Sequence, residues 1–200
     1  MNYTIIIAII IFGIASIVFI EVSKRMRLKK IIHLLQSRQF EEFFELCDAK
    51  FTKFLFPIYN IEYMKLNAYI LQENLKNIEA QFKKLLAFRM NKKQKEDMYM
   101  KAFNYYVGNE DAKNAKKMLT LIKKLDNDQI KHEASVMYDI FILKNDAHLQ
   151  SMLADLKDLP DAVKGVSEYL ISVQYANIKD KKNADKYLKL SKKHMDMPQN

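Results

Sequence analysis

Four histidines and one cysteine are the side chains of this sequence best suited to acid–base, nucleophilic or metal chemistry, and their spacing supports none of it. His33, His132, His148 and His194 stand far apart along the chain. His132-Glu133 lacks the second histidine that a zinc-hydrolase helix carries one turn away. Cys47 has no partner for a disulfide, and its Phe-rich surroundings mark it as a small core residue. Carboxylate pairs such as Glu41-Glu42 and Asp155/Asp158 belong to polar helix faces, where solvated charge is the ordinary role. Three scattered glycines cannot build a phosphate-cradling loop. The lysine pairs Lys83-Lys84, Lys116-Lys117 and Lys123-Lys124 are interspersed with acids and accompany no recognition motif, so no nucleic acid is expected. Neither enzyme activity, nor a cofactor, nor a metal site is expected. What remains is recognition by amides, lysines and aromatic rings.

Those residues need elements to position them, and the first is apolar. Residues 3–20 contain no charged side chain. As a helix they would span roughly 27 Å, close to a hydrocarbon core. Only Thr4, Gly13 and Ser16 interrupt the run, whereas a buried soluble helix usually keeps a polar stripe. No basic start and no small-residue cleavage site accompany it, so a retained anchor is expected rather than a signal peptide. The next ten residues hold Glu21 against Lys24, Arg25, Arg27, Lys29 and Lys30, which is +4 of the chain's net +9. This one-sided cluster predicts an outer N-terminus, a cytoplasmic C-terminal side, and contact of those five residues with anionic lipid headgroups. Lys-, Asn- and Ile-rich usage points to an AT-rich genome and a bacterial plasma membrane.

The rest of the chain reads as all-α. With Gly 3 and Pro 3, it lacks the turn residues of a β fold. Apolar residues recur at helical spacing between short polar breaks: Ile31, Leu34, Leu35, then Phe40, Phe43, Phe44, Cys47. Pro57 opens a helix ending near Glu73. Residues 98–107 form another, stopped by Gly108-Asn109 as a helix cap. Asp111 and Pro160-Asp161 open later ones. Ten helices in five pairs result.

The pairs repeat. Leu34, Tyr69, Tyr106, Ile140 and Tyr175 are separated by 35, 37, 34 and 35 residues. Nine positions after each stand Phe43, Ile78, Ala115, Leu149 and Ala184, and four further Cys47, Phe82, Leu119, Leu153 and Leu188. The unit length, the late tyrosine and the steps Tyr99-x-x-Ala102-x-x-x-Tyr106 and Ala115-x-x-x-Leu119 resemble tetratricopeptide (TPR) repeats. The early small residue is replaced by Leu66, Phe103 and Met137. The resemblance implies about five helix–turn–helix pairs stacked as a right-handed solenoid, with the Lys-rich last helix as a polar cap. The expected organisation is an anchor over residues 1–22, a basic juxtamembrane segment over 23–30, the repeat domain over 31–195 and a tail over 196–200.

The resemblance further implies a concave groove lined by the first helix of each pair. Its candidate partner-binding residues are Tyr63, Asn67, Met100, Lys101, Asn104, Lys131, Tyr138 and Tyr169. Asparagine amides can bond a peptide backbone through donor and acceptor together, and lysines can take a carboxylate. Lys101 and Ser135 stand where chaperone-binding members of the family place an asparagine and an arginine, so that specificity is not implied. The bland alternative is that the tyrosines serve helix packing alone. The expected function is a membrane-tethered scaffold recruiting a protein or peptide partner at the cytoplasmic face. Two alternatives share the topology: an organelle-surface receptor for peptide segments, and an assembly module dependent on anionic lipid.

Overall fold

The computed structural model describes residues 3–195, and of these the side chains of 4–11 and 162 lie outside the description. The expected outer tail, residues 1–2, and the C-terminal tail, residues 196–200, also lie outside the described residues. All regular structure among the described residues is helical. The helices are α1 (Tyr3–Gln36), α2 (Phe40–Asp48), α3 (Lys50–Leu55), α4 (Ile58–Leu71), α5 (Leu75–Leu86), α6 (Lys92–Gly108), α7 (Ala112–Ile122), α8 (Asp128–Phe141), α9 (Leu149–Asp155), α10 (Asp161–Asn177) and α11 (Lys181–Met195). The chain forms two compact units, residues 1–89 and 90–200.

In the first unit, α1 runs without a break through the expected boundaries at residues 22 and 30. Among the described residues no helix is long and apolar enough to cross a membrane. The side chains of 4–11, at the heart of the apolar run, are not among those residues. Phe12, Ile14, Ile17, Val18 and Phe19 are exposed on several faces of α1, and burial begins only where Ile31 and Leu34 meet the rest of the unit. There they join Phe43, Cys47, Ile61 and Ala68 in one core, against which Phe44 and Met64 pack. Phe44 stacks on Tyr69 at 4.9 Å.

Among the described residues the ten expected helices become eleven, because α2 breaks at Ala49, whose ψ of 137° starts a further turn and a half, α3. The Thr52 hydroxyl donates to the carbonyl of Leu46, satisfying an acceptor the break exposes.

In the second unit, α6 packs on α7, α8 on both, and α10 on α8, α9 and α11. Thus α6, α8 and α10 form one rank. The start of α6 lies six residues before the expected residue 98, because Asn91 and Gln94 form a reciprocal capping box. Residues 92–97, charged except for Gln94, hide that start from any apolar count.

One local geometry recurs five times. Positive φ occurs at Arg38, Glu73, Glu110, Lys144 and Lys179, each four residues after the register Leu34, Tyr69, Tyr106, Ile140, Tyr175. In four turns the next residue's N–H donates to the register residue's carbonyl: Gln39 to Leu34 at 2.9 Å, Asn74 to Tyr69 at 3.1 Å, Asp111 to Tyr106 at 2.9 Å and Asp180 to Tyr175 at 2.9 Å. This six-to-one bond closes a left-handed helix terminus. In three of the turns the same residue then caps the following helix. Asn74, Asp111 and Asp180 accept from the backbone N–H of Asn77, Asn114 and Asn183. Glu110, rather than the expected Gly108, is therefore the left-handed residue that ends α6. In the fourth turn Asn145 donates instead to Asp139, and the helix that follows, α9, is only seven residues long.

A left-handed residue with a Cβ is strained by roughly 1–2 kcal/mol, a strain glycine lacks, while glycine loses more freedom on folding. Glu73→Gly and Lys179→Gly should each raise stability by about 0.5–1 kcal/mol. Urea unfolding checks this; a loss of stability in both variants would refute the turn geometry.

Candidate functional site

Titratable side chains do gather, in two places the sequence did not single out. In the first unit Glu62 and Lys65 on α4 are buried, as is Gln81 on α5. Glu62 accepts from Gln81 Nε2 at 2.7 Å and meets Lys84 Nζ at 2.7 Å. Lys65 Nζ reaches Asp48 at 2.8 Å, and Lys53 holds the other Asp48 oxygen at 2.9 Å. Burial pushes the Glu62 carboxyl up, but the hydrogen bonds from Lys84 and Gln81, with the charge of Lys65, outweigh it and hold the group below its ordinary range. The hydrogen bond from Lys65 does the same for Asp48. Neighbouring Cys47 is fully buried, and burial pushes its thiol up to about 11, against the pull of Lys65. A neutral, enclosed thiol is a poor nucleophile. The cluster is an open chain of paired charges, Lys53–Asp48–Lys65 beside Glu62–Lys84, that joins α2, α3, α4 and α5.

In the second unit His194 Nδ1 lies 2.6 Å from the buried carboxylate of Glu168, and His148 Nε2 lies 2.9 Å from Asp139. Each pair joins two segments: α10 to α11, and the turn before α9 to α8. Among the described residues no group of three or more His, Cys, Asp and Glu is placed to hold a metal ion. The buried charges carry one sequence signal, since Glu62 and Glu168 interrupt otherwise apolar helix faces beside Ile61 and Ile171.

A concave site lies elsewhere, on the rank of α6, α8 and α10. Asn104, Val107, Gly108, Glu110, Met137, Phe141 and Tyr169 line a cavity of about 350 Å³. That is the small end of the range for ligand sites, with room for one or two large side chains. Its floor is apolar, and Phe141 and Tyr169 stack across it at 6.4 Å with 29° between their planes. Asn104 and Glu110 supply the polar rim, and Glu110 is paired with Lys144 at 3.2 Å. At Gly108 a Cβ would meet nothing within 4 Å, so the absent side chain leaves open space.

Two of the eight candidate groove residues, Asn104 and Tyr169, line this cavity together. Met100 and Lys101 are half-buried on α6, one turn earlier than Asn104. Lys131 on α8 has its ammonium 2.8 Å from Asp128, and Tyr138 is half-buried beside Met137. Tyr63 and Asn67 belong to α4 in the first unit, where Tyr63 faces Tyr59 at 6.0 Å. The sequence reading missed Phe141, Met137 and Val107, which look like any other apolar residues until three helices meet. Comparison with protein-family models, with curated proteins and with solved structures finds no match to this chain. The geometry stands on its own.

Of the five expected headgroup residues, Lys24 pairs with Glu21 at 3.0 Å and Arg27 lies over the Phe51 ring at 5.3 Å. Arg25, Lys29 and Lys30 are exposed.

The depressed Glu62 carboxyl makes stability depend on acid. A group whose folded pKa is lowered stabilises fully above its unfolded value, here about 4.5, and loses that contribution as pH falls through the folded value. The melting temperature should therefore drop from about pH 5 downward. Glu62→Gln should cost on the order of 1–3 kcal/mol at pH 7 and flatten the acid slope. Calorimetry at both pH values checks this; an unchanged slope in Glu62→Gln would assign the acid sensitivity to other carboxylates.

Proposed function

We propose that this chain is a membrane-tethered scaffold of TPR-like helix pairs that captures a peptide segment of a protein partner at the cytoplasmic face. The observation that carries the reading is the cavity on α6, α8 and α10, which joins an exposed amide, Asn104, to an apolar floor closed by Phe141 and Tyr169. An amide beside a small apolar pocket suits one anchored side chain, with its backbone held alongside. The recurrence of the turn geometry at the register spacing supports the repeat reading. The 18 uncharged residues at positions 3–20, within a continuous helix, support the tether. The five basic residues that follow support the cytoplasmic placement, in a bacterial plasma membrane.

Full chain in detergent, screened against a random peptide library, should select peptides with one large apolar side chain. Asn104→Ala should weaken their binding by about 2–10-fold, the worth of one hydrogen bond, while the melting curve stays put. Gly108→Trp should abolish binding by filling the cavity. Tyr106→Ala, which empties a buried position, should cost on the order of 3 kcal/mol of stability. Loss of stability in Asn104→Ala comparable to that of Tyr106→Ala, or binding indifferent to Gly108→Trp, would sink the site.

Orientation has its own measurement. Buried Cys47 stays silent to maleimide in the native fold, so a cysteine introduced at Asn200 reports alone. It should label only after lysis, whereas one at Asn2 should label in intact cells. Labelling of Asn200→Cys from outside would reverse the topology.

A further inference from the structure

The short helix α3 leaves two large aromatic rings uncovered. Its buried face is Thr52 and Leu55; its outer face carries Phe51, 41% exposed, and Phe54, 71% exposed. The rings stack on each other at 6.4 Å, which gathers their area into one patch rather than scattering it. Helix α3 packs on α1, and the contact is specific: the Arg27 guanidinium sits 5.3 Å from the centre of the Phe51 ring. Position along α1 gives this contact its meaning. Arg27 is seven residues beyond Ile20, about 10 Å at the helical rise, and five beyond Val22, about 7.5 Å. An apolar face dipping into the headgroup boundary of a bilayer sits about 5–10 Å deep. The aromatic pair therefore lies at the level where the apolar run gives way to headgroups.

Charge at that level fits the same surface. Arg25, Lys29 and Lys30 are exposed at the same level of α1, and Lys50 is exposed on α3 beside Phe51 in sequence. The acids Glu21 and Asp48 are already paired with Lys24 and Lys53. Aromatic side chains favour the membrane–water interface, and each basic side chain near an anionic leaflet adds about 1 kcal/mol.

We propose that α3 is a second membrane contact: Phe51 and Phe54 enter the headgroup layer of the bilayer that holds α1, with Arg25, Lys29, Lys30 and Lys50 at the same level to meet anionic lipid. This rests on the reading of α1 as the tether, and it adds a function for a helix that the repeat pattern does not require. Two contacts about 10 Å apart along α1 fix the tilt of the first unit against the membrane. A single span leaves that tilt free.

The chain contains no tryptophan, so one introduced indole reports a single site. Phe54→Trp and Ile17→Trp full-length variants are reconstituted in mixed phosphatidylcholine–phosphatidylglycerol vesicles. Each is titrated with lipid brominated near the headgroup, lipid brominated deep in the acyl chain, and aqueous acrylamide. Phe54→Trp should be quenched by the shallow bromines and shielded severalfold from acrylamide, and Ile17→Trp by the deep bromines. If Ile17→Trp responds to lipid while Phe54→Trp stays open to acrylamide, the second contact is wrong and the tether stands. If Phe54→Trp is shielded yet blind to both brominated lipids, protein rather than lipid covers the patch, and the proposal is overturned. If neither indole meets lipid, the tether itself fails and the second contact with it.

Discussion

The rest of this structure depends on the left-handed turn between paired helices. A helix ends with several carbonyls lacking partners and the next begins with several N–H groups lacking them. Packing two short helices side by side leaves little chain in which to satisfy both sets. Here a single residue does so. Asp111 donates its backbone N–H to Tyr106, closing one helix, and accepts from Asn114 through its carboxylate, opening the next. Asn74 and Asp180 do the same. The amide at Asn114 adds a bond back to the Asp111 carboxylate at 2.7 Å, and Asn183 repeats it on Asp180. Because the bonds fix where one helix stops relative to the start of the next, they also fix which residues face each other across the pair. Only then can Ala115 and Leu119 pack on α6.

That constraint explains why the periodicity of the register was legible before the structure was known. Leu34, Tyr69, Tyr106, Ile140 and Tyr175 sit at the same distance from a chain reversal, so insertions elsewhere cannot shift them against it. The left-handed residues themselves were hidden. Arg38, Glu73, Glu110, Lys144 and Lys179 are polar surface types that occur anywhere, and no glycine marks them. Gly108 drew attention instead, two residues early. Its backbone is ordinary, and its contribution is the open space beside the cavity.

Other features escaped for different physical reasons. Helix α3 has six residues, KFTKFL, too few for a periodic pattern. The first turn of α6 carries only charged and polar residues, so its start was written in the Asn91–Gln94 cap rather than in apolar spacing. Glu62 and Glu168 were not singled out, yet each is buried with a partner from another helix. Buried carboxylates of this kind contribute less to net stability than to the choice of one packing over another, since removing either partner leaves a charge uncompensated. Of the groove, Asn104 and Tyr169 were reachable from the register because each faces away from its own pair. The floor they stand on belongs to neighbouring helices, so no single-helix pattern could show it.

The distribution of exposed apolar area separates the two surfaces for which roles are proposed. In the second unit the aromatic side chains Phe141 and Tyr169 are inset in a concavity with a polar rim, where a small, shaped ligand is needed to cover them. In the first unit Phe51 and Phe54 stand exposed on the outer side of a short helix, beside Arg27. An aromatic pair standing out from a helix is easily received by a fluid headgroup layer, which conforms to whatever enters it. The cavity makes the opposite demand. Its 350 Å³ cannot admit a lipid surface, and an amide, which can both donate and accept, stands in its lining. Shape thus separates the two proposals, a peptide for the concave site and a membrane for the aromatic pair on α3, although the apolar area is of the same chemical kind.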